Sequence, residues 1–168
     1  MRSGTLVPVE EYLSTSYSPD CEYLEGMVTE RNVGEWEHSR LQMRLGAYLF
    51  NREEKLRIRV VTEQRVQVKK DRFRVPDVCV ILAGSPIERI VTHPPLICAE
   101  VLSPDDRMSD VLAKIDDYLA FGVGYVWVID PLTRHAQIYD SAGVHEMKDG
   151  KLWTSDPEIL VPFDQLFD

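Results

Sequence analysis

The sequence is poor in cysteine, in net positive charge and in long apolar runs. Its 168 residues include three cysteines. At positions 21, 79 and 98 they form neither a closed disulfide framework nor the paired C-x-x-C spacing of a zinc site. Cys79 and Cys98 lie inside apolar stretches, where a free thiol serves as a small core residue. No segment approaches the roughly 20 continuous apolar residues that a membrane span needs. Nor does Met1 to Glu11 carry the apolar run of a signal peptide, so a cytoplasmic protein with no membrane partner is expected. Repeats, low-complexity tracts and Gly/Ser linkers are lacking, and the length suits one domain over 1–168. Lys and Arg number 19 against 28 Asp and Glu, a net charge of −9. That balance argues against a protein held on nucleic acid by overall charge. Any contact with a phosphate chain has to be local or mediated by a cation.

What is present is ordinary globular patterning, with 44% hydrophobic and 28% charged residues. A short helix is expected after Pro8, then a loop over 17–20 and two short strands turning at Gly26. From Trp36 to Asn51, Leu41, Leu45, Tyr48 and Leu49 fall on one helical face, which His38 leads. Ile58, Val60, Val66 and Val68 alternate with polar residues as in a half-buried strand. Lys69-Lys70-Asp71 reads as the turn into a second strand over 73–82. The run from Leu96 to Leu102 is apolar on both faces except at Glu100, as in a central strand covered from both sides. Ser103-Pro104-Asp105-Asp106 suits a helix start, with Met108, Leu112, Ile115 and Leu119 as the buried stripe and Gly122 to Gly124 as its end. Another buried strand runs from Tyr125 to Asp130. Edge strands are expected at 135–140 and at 144–147 with 152–154, the latter pair turning at Asp149-Gly150. This order predicts an α/β (α+β) fold, a mixed β-sheet flanked by helices.

Two carboxylates sit in apolar company: Asp77 before Val78-Cys79-Val80-Ile81, and Glu100 between Ala99 and Val101. An ionised carboxylate taken out of water costs several kcal/mol, on that order, unless a partner or metal satisfies it. On alternation Asp77 shares a face with Cys79 and Ile81, and Glu100 with Cys98 and Leu102. If the two strands are neighbours, the acids converge on a site suited to Mg²⁺ or Mn²⁺, which bind through one or two carboxylates plus waters and substrate phosphate. The alternative pairs each acid with an arginine, and Arg72 and Arg74 are near in sequence. Lys114, on the flank of the helix stripe with Val111 and Tyr118, can carry its ammonium to the sheet edge. A surface pair with Asp110, four residues earlier, is the commoner explanation of such a lysine.

Taken in order, Tyr23-Leu24-Glu25-Gly26, His38, Arg74-Val75-Pro76-Asp77-Val78, Glu100-Val101-Leu102-Ser103-Pro104, Lys114 with Tyr118, Gly122-Val123 and Trp127-Val128-Ile129-Asp130-Pro131 resemble the Uma-two family of restriction-endonuclease-like proteins. That family lies within the PD-(D/E)XK nuclease superfamily, and the resemblance runs from about Val7 to the C-terminus. It implies a restriction-endonuclease-like αβββαβ core with added edge strands and a metal-dependent phosphodiesterase that cleaves DNA. Pro76-Asp77 is then the first signature element and Glu100 the second acid. The superfamily's lysine position, two residues after that acid, is Leu102 here, and the match moves to Lys114 on the following helix.

The resemblance implies catalytic roles for Asp77, Glu100, Lys114 and, as a weaker candidate, His38. It implies metal ligation by Asp77, Glu100 and the Val101 backbone carbonyl, with Glu37 or Glu25 as options for an upstream acid beside Glu22 and Glu35, and substrate contact by Arg74. Gln64, on the apolar side of its strand, is a further candidate for substrate contact. Asp130, before Pro131 at a strand end, suits a turn or cap role. A homodimer is a further expectation. The competing reading is a non-catalytic nuclease-like module that binds a partner or dimerises, with its carboxylates paired internally. Paired acids also suit glycoside hydrolysis, but no groove rich in exposed aromatics accompanies them.

Overall fold

Apolar residues on both faces place the Ile97–Val101 strand in the middle of the larger sheet, and the rest of the chain is arranged around it. The computed structural model describes residues 6–32 and 34–168. The first five residues, part of the start read for a leader, and Val33 lie outside them. In chain order the elements are α1 (Val9–Ser14), β1 (Glu22–Leu24), β2 (Met27–Thr29), α2 (Trp36–Phe50), α3 (Glu53–Leu56), β3 (Ile58–Thr62), β4 (Val66–Lys69), β5 (Arg72–Arg74) and β6 (Val78–Leu82). They continue with β7 (Ile97–Val101), α4 (Met108–Phe121), β8 (Tyr125–Asp130), β9 (His135–Asp140), β10 (Gly143–Glu146), β11 (Lys151–Ser155), β12 (Glu158–Pro162) and a closing 3₁₀ turn (Phe163–Leu166).

The larger sheet has the order β10-β9-β8-β7-β6-β3. It is mixed, because α4 carries the chain from β7 to a parallel β8 while the other neighbours are antiparallel. Strand alternation divides its buried residues between two layers. Val78, Val80, Ile97, Ala99 and Val101 pack with Leu41, Leu45 and Leu49 of α2 and with Leu152 and Ile159 of the β11–β12 hairpin. Cys79, Ile81, Cys98, Val126 and Val128 pack with Val111, Ile115 and Tyr118 of α4. Each fully buried aliphatic side chain contributes roughly 1.5–3 kcal/mol to such a layer.

The long hairpin expected over 58–82 is split between two sheets. β3 and β6 pair in the larger sheet, whereas β4 and β5 join β1 and β2 in a smaller one of order β2-β1-β5-β4. The break on one side falls at Glu63, whose φ is +51°. On the other it falls at Val75-Pro76-Asp77, where Pro76 has no N–H to give to a ladder. This split opens the cleft described below.

Two further expectations are corrected. Asp149-Gly150 does turn the chain, with both residues at positive φ, but only Lys148 and Lys151 bridge across it. β10 pairs back on β9, and β11 pairs onward with β12. Helix α4 begins at Met108, a turn later than expected, because Asp106 closes Ser103–Asp106 into a turn by accepting from the Ser103 N–H at 2.7 Å. Its buried face runs through Val111, Ile115 and Tyr118, while Met108 and Leu112 are exposed. Among the described residues no helix is long and apolar enough to cross a membrane.

Candidate active site

The register of β6 against β7 pairs Val78 with Ala99 and Cys79 with Cys98, so Asp77 comes opposite Glu100 at the end of the sheet. Both carboxylates line one cleft of about 330 Å³ that opens between the two sheets and the N-terminal half of α4. They are 3% and 6% exposed respectively. The Val101 N–H donates to Asp77 Oδ2 at 2.7 Å, which ties the two strand ends together.

Helix α2 fixes Asp77 from one side. Gln42 donates to its backbone carbonyl at 3.1 Å, and His38 Nε2 stands 3.3 Å from Oδ2. These residues are four apart and so share a helix face. Arg31 donates to the other oxygen, Oδ1, at 2.7 Å. Burial alone would raise the Asp77 pKa, but His38, Arg31 and the Val101 N–H outweigh it and hold the carboxyl below its usual range. Burial disfavours a charged His38, yet Asp77 overrides that and raises the imidazole pKa.

Helix α4 fixes Glu100 from the other side, again through residues four apart. Tyr118 donates its hydroxyl to Oε1 at 2.7 Å, and Lys114 Nζ donates to Oε2 at 3.0 Å. Lys114 also stands 3.4 Å from Glu22 Oε1, so it turns inward to Glu100 and Glu22 and is not committed to a surface pair with Asp110. Despite Lys114 and Tyr118, burial and the charges of Asp77 and Glu22 push the Glu100 pKa up to about 7.

Behind these groups lies a buried ionic wall. Glu22 Oε2 accepts from Arg74 at 2.8 Å, and Glu22 Oε1 accepts from the Val75 N–H at 3.2 Å. Burial would raise the Glu22 pKa, but Lys114 and Arg74 outweigh it and lower it. Asp117 of α4 accepts from Arg74 at 2.8 Å and from Arg72 at 2.7 Å.

The comparisons with known proteins fit this geometry. Residues 9–162 match the family described as "Uma2: Putative restriction endonuclease". The chain belongs to the Uma2 family. A solved structure described as "a putative nuclease belonging to DUF820 from Anabaena variabilis ATCC 29413" superposes on this Uma2 chain with a TM-score of 0.79 at 22% identity, covering 96% of this chain and 99% of that one. That likeness establishes a shared mixed α/β fold. No curated protein matches the chain.

Of the residues singled out in the sequence, Asp77, Glu100, Val101, Lys114, His38, Arg74 and Glu22 line the cleft of this Uma2 chain. Glu25, Glu35, Glu37 and Gln64 are not among its lining residues. Glu25 pairs with Arg72 at the hairpin corner, Glu37 is exposed on α2, and the Gln64 amide donates to the carbonyls of Arg65 and Arg89. Arg74 lines the wall with its guanidinium taken up by Glu22 and Asp117. Neither Arg72 nor Arg74 pairs with Asp77 or Glu100; those partners are Arg31, His38, Lys114 and Tyr118. Asp130 caps a turn, accepting from the N–H groups of Leu132 and Thr133. Sequence reasoning missed Arg31 and Asp117. Asp117 had one available signal: it sits at i+3 from Lys114, on a face that also carries Tyr118.

Proposed function

We propose that this chain is a divalent-metal-dependent nuclease that hydrolyses phosphodiester bonds in DNA. Asp77, Glu100 and the Val101 carbonyl would hold Mg²⁺ or Mn²⁺, with Lys114 beside them. The observation that carries this reading is the convergence of two buried carboxylates from adjacent strands on one open cleft, with a lysine 3.0 Å from the second.

The donor set fits such an ion. Among the described residues no group of three or more His, Cys, Asp or Glu side chains is placed to hold a metal. Mg²⁺ commonly takes only one or two carboxylates and fills its remaining positions with water and substrate oxygens. Burial, together with the charges of Asp77 and Glu22 beside it, raises the Glu100 pKa, and a bound cation would favour its ionised form. When bound, the ion supplies Lewis-acid polarisation of the phosphodiester and an acidified water.

The chain's residues supply the rest. Lys114 places a positive charge where negative charge develops on the phosphoryl oxygens. Tyr118 holds Glu100 in one orientation, and His38 with Gln42 holds Asp77. Arg31 and Arg107 bring positive charge to a cleft that also carries Glu30, Asp105, Asp106 and Asp110. With a net charge of −9, DNA then binds weakly until the ion is present.

One observation favours a second reading. Every oxygen of Asp77 and Glu100 already has a partner within the chain, as expected of a nuclease-like module used only for binding or dimerisation. Incubation with single- and double-stranded DNA, with and without Mn²⁺, separates the two. The nuclease reading predicts chelator-sensitive products from the wild type and background cleavage from Asp77→Ala and Glu100→Ala. Cleavage unchanged in either variant refutes the assignment, and no cleavage by the wild type favours the binding module.

A further inference from the structure

Asp77 is neutralised by an arginine that belongs neither to the sheet nor to a flanking helix. Arg31 lies between β2 and α2, on a segment that runs along the cleft. Its Nη2 donates to Asp77 Oδ1 at 2.7 Å, and its Nη1 stands 3.9 Å from Glu63. The next residue ties the segment to the opposite wall, where Asn32 Nδ2 donates to Asp106 Oδ1 at 2.6 Å. The other Asp77 oxygen is engaged by Val101 and His38. Arg31 is therefore the only partner of Oδ1 among the described residues.

The cations around the cleft are held to different degrees. Arg74 is locked between Glu22 and Asp117, and Lys114 between Glu100 and Glu22, with all these groups on regular elements. Arg31 has one close carboxylate and sits on irregular backbone. With Arg74 shared by Glu22 and Asp117 and Lys114 by Glu100 and Glu22, Arg31 is the cation that faces Asp77 Oδ1. A divalent ion arriving at Oδ1 brings two further positive charges against the guanidinium, and like charges at such range repel strongly.

We propose that Arg31 is an exchangeable counterion: it neutralises Asp77 until a divalent cation takes Oδ1, and it then turns to a phosphate of the bound strand. This rests on reading Asp77 as a metal ligand. Phosphate anions offset the positive charge that the ion adds, so ion and nucleic acid bind cooperatively.

Arg31→Gln tests the exchange through two readouts with opposite signs. In calorimetric titration the variant binds Mn²⁺ about tenfold more tightly than the wild type. In Ca²⁺, which takes the same oxygen ligands, it binds a fluorescent oligonucleotide about tenfold more weakly by anisotropy. A variant with a merely damaged fold loses both. Asn32→Ala, which frees the segment from Asp106, shifts Mn²⁺ binding in the same direction by a smaller factor. Equal or weaker Mn²⁺ binding by Arg31→Gln that melts as the wild type does, with wild-type binding intact, overturns the counterion role and leaves the metal site standing. Tighter Mn²⁺ binding with unchanged oligonucleotide binding overturns the transfer to phosphate. If neither protein binds Mn²⁺, the metal site falls and the exchange falls with it.

Discussion

Glu100 is buried beside Asp77 and Glu22, and its proton links stability to pH. Its pKa of about 7 stands above the ordinary 4.5, so the folded chain holds this proton more tightly than the unfolded chain does. The resulting contribution to stability is complete below about pH 4.5 and is lost as pH rises through about 7. Glu100→Gln has no such proton. The melting temperature of the wild type relative to this variant is therefore expected to fall by on the order of 5–10 °C between pH 5 and pH 8; a constant difference contradicts the assignment. On the proposed nuclease reading, Lys114→Met removes the charge assigned to the reacting phosphate and is expected to lower the cleavage rate roughly 10²–10³-fold, with Lys114→Arg recovering part of the loss. Asp77 and Glu100 stood out in the sequence because an ionised group amid apolar strand residues demands a partner. Arg31 did not, and Glu22 stood only as one of several options for an upstream acid. Arg31 lies on backbone without periodicity, and Glu22 is an ordinary charge on a three-residue strand until the pairing of β1 with β5 buries it beside Arg74.

Among the elements, α4 does the most to assemble the site. A stripe drawn through its apolar residues alone selects Met108, Leu112, Ile115 and Leu119. The face that packs is rotated toward Val111, Ile115 and Tyr118 and carries Asp117 into the interior. That rotation was hidden in the sequence because the partners that make a buried Asp117 tolerable, Arg72 and Arg74, lie about 45 residues earlier. Asp117→Ala leaves Arg74 with one partner fewer in a buried setting and is expected to cost about 3–5 kcal/mol in denaturant unfolding. The end of the helix was plain from Gly122. It adopts φ +104°, and an added Cβ would stand 3.2 Å from Pro94 Cγ. Gly122→Ala is expected to destabilise by about 1 kcal/mol or more, measured in the same assay. The split of the 58–82 hairpin was not visible, since alternation continues on both sides of the break and only pairing with β1 decides which sheet the outer half joins.

At the scale of the whole molecule, the order of helix, strands, crossover helix and strand was enough to predict a mixed sheet flanked by helices. The Uma2 match and the shared fold agree with it. What order alone did not supply was the second sheet, and the cleft exists because two sheets part at Val75-Pro76-Asp77. On the proposed nuclease reading, the chain's acidity makes the cation the element on which activity turns. Diffraction from crystals soaked in Mn²⁺ tests this most directly. The account predicts an anomalous peak bridging the carboxylates of Asp77 and Glu100, with Arg31 turned away from Oδ1. Crystals saturated with Mn²⁺ that show no peak there, with Asp77 still bound to Arg31 and Glu100 to Lys114, would contradict it.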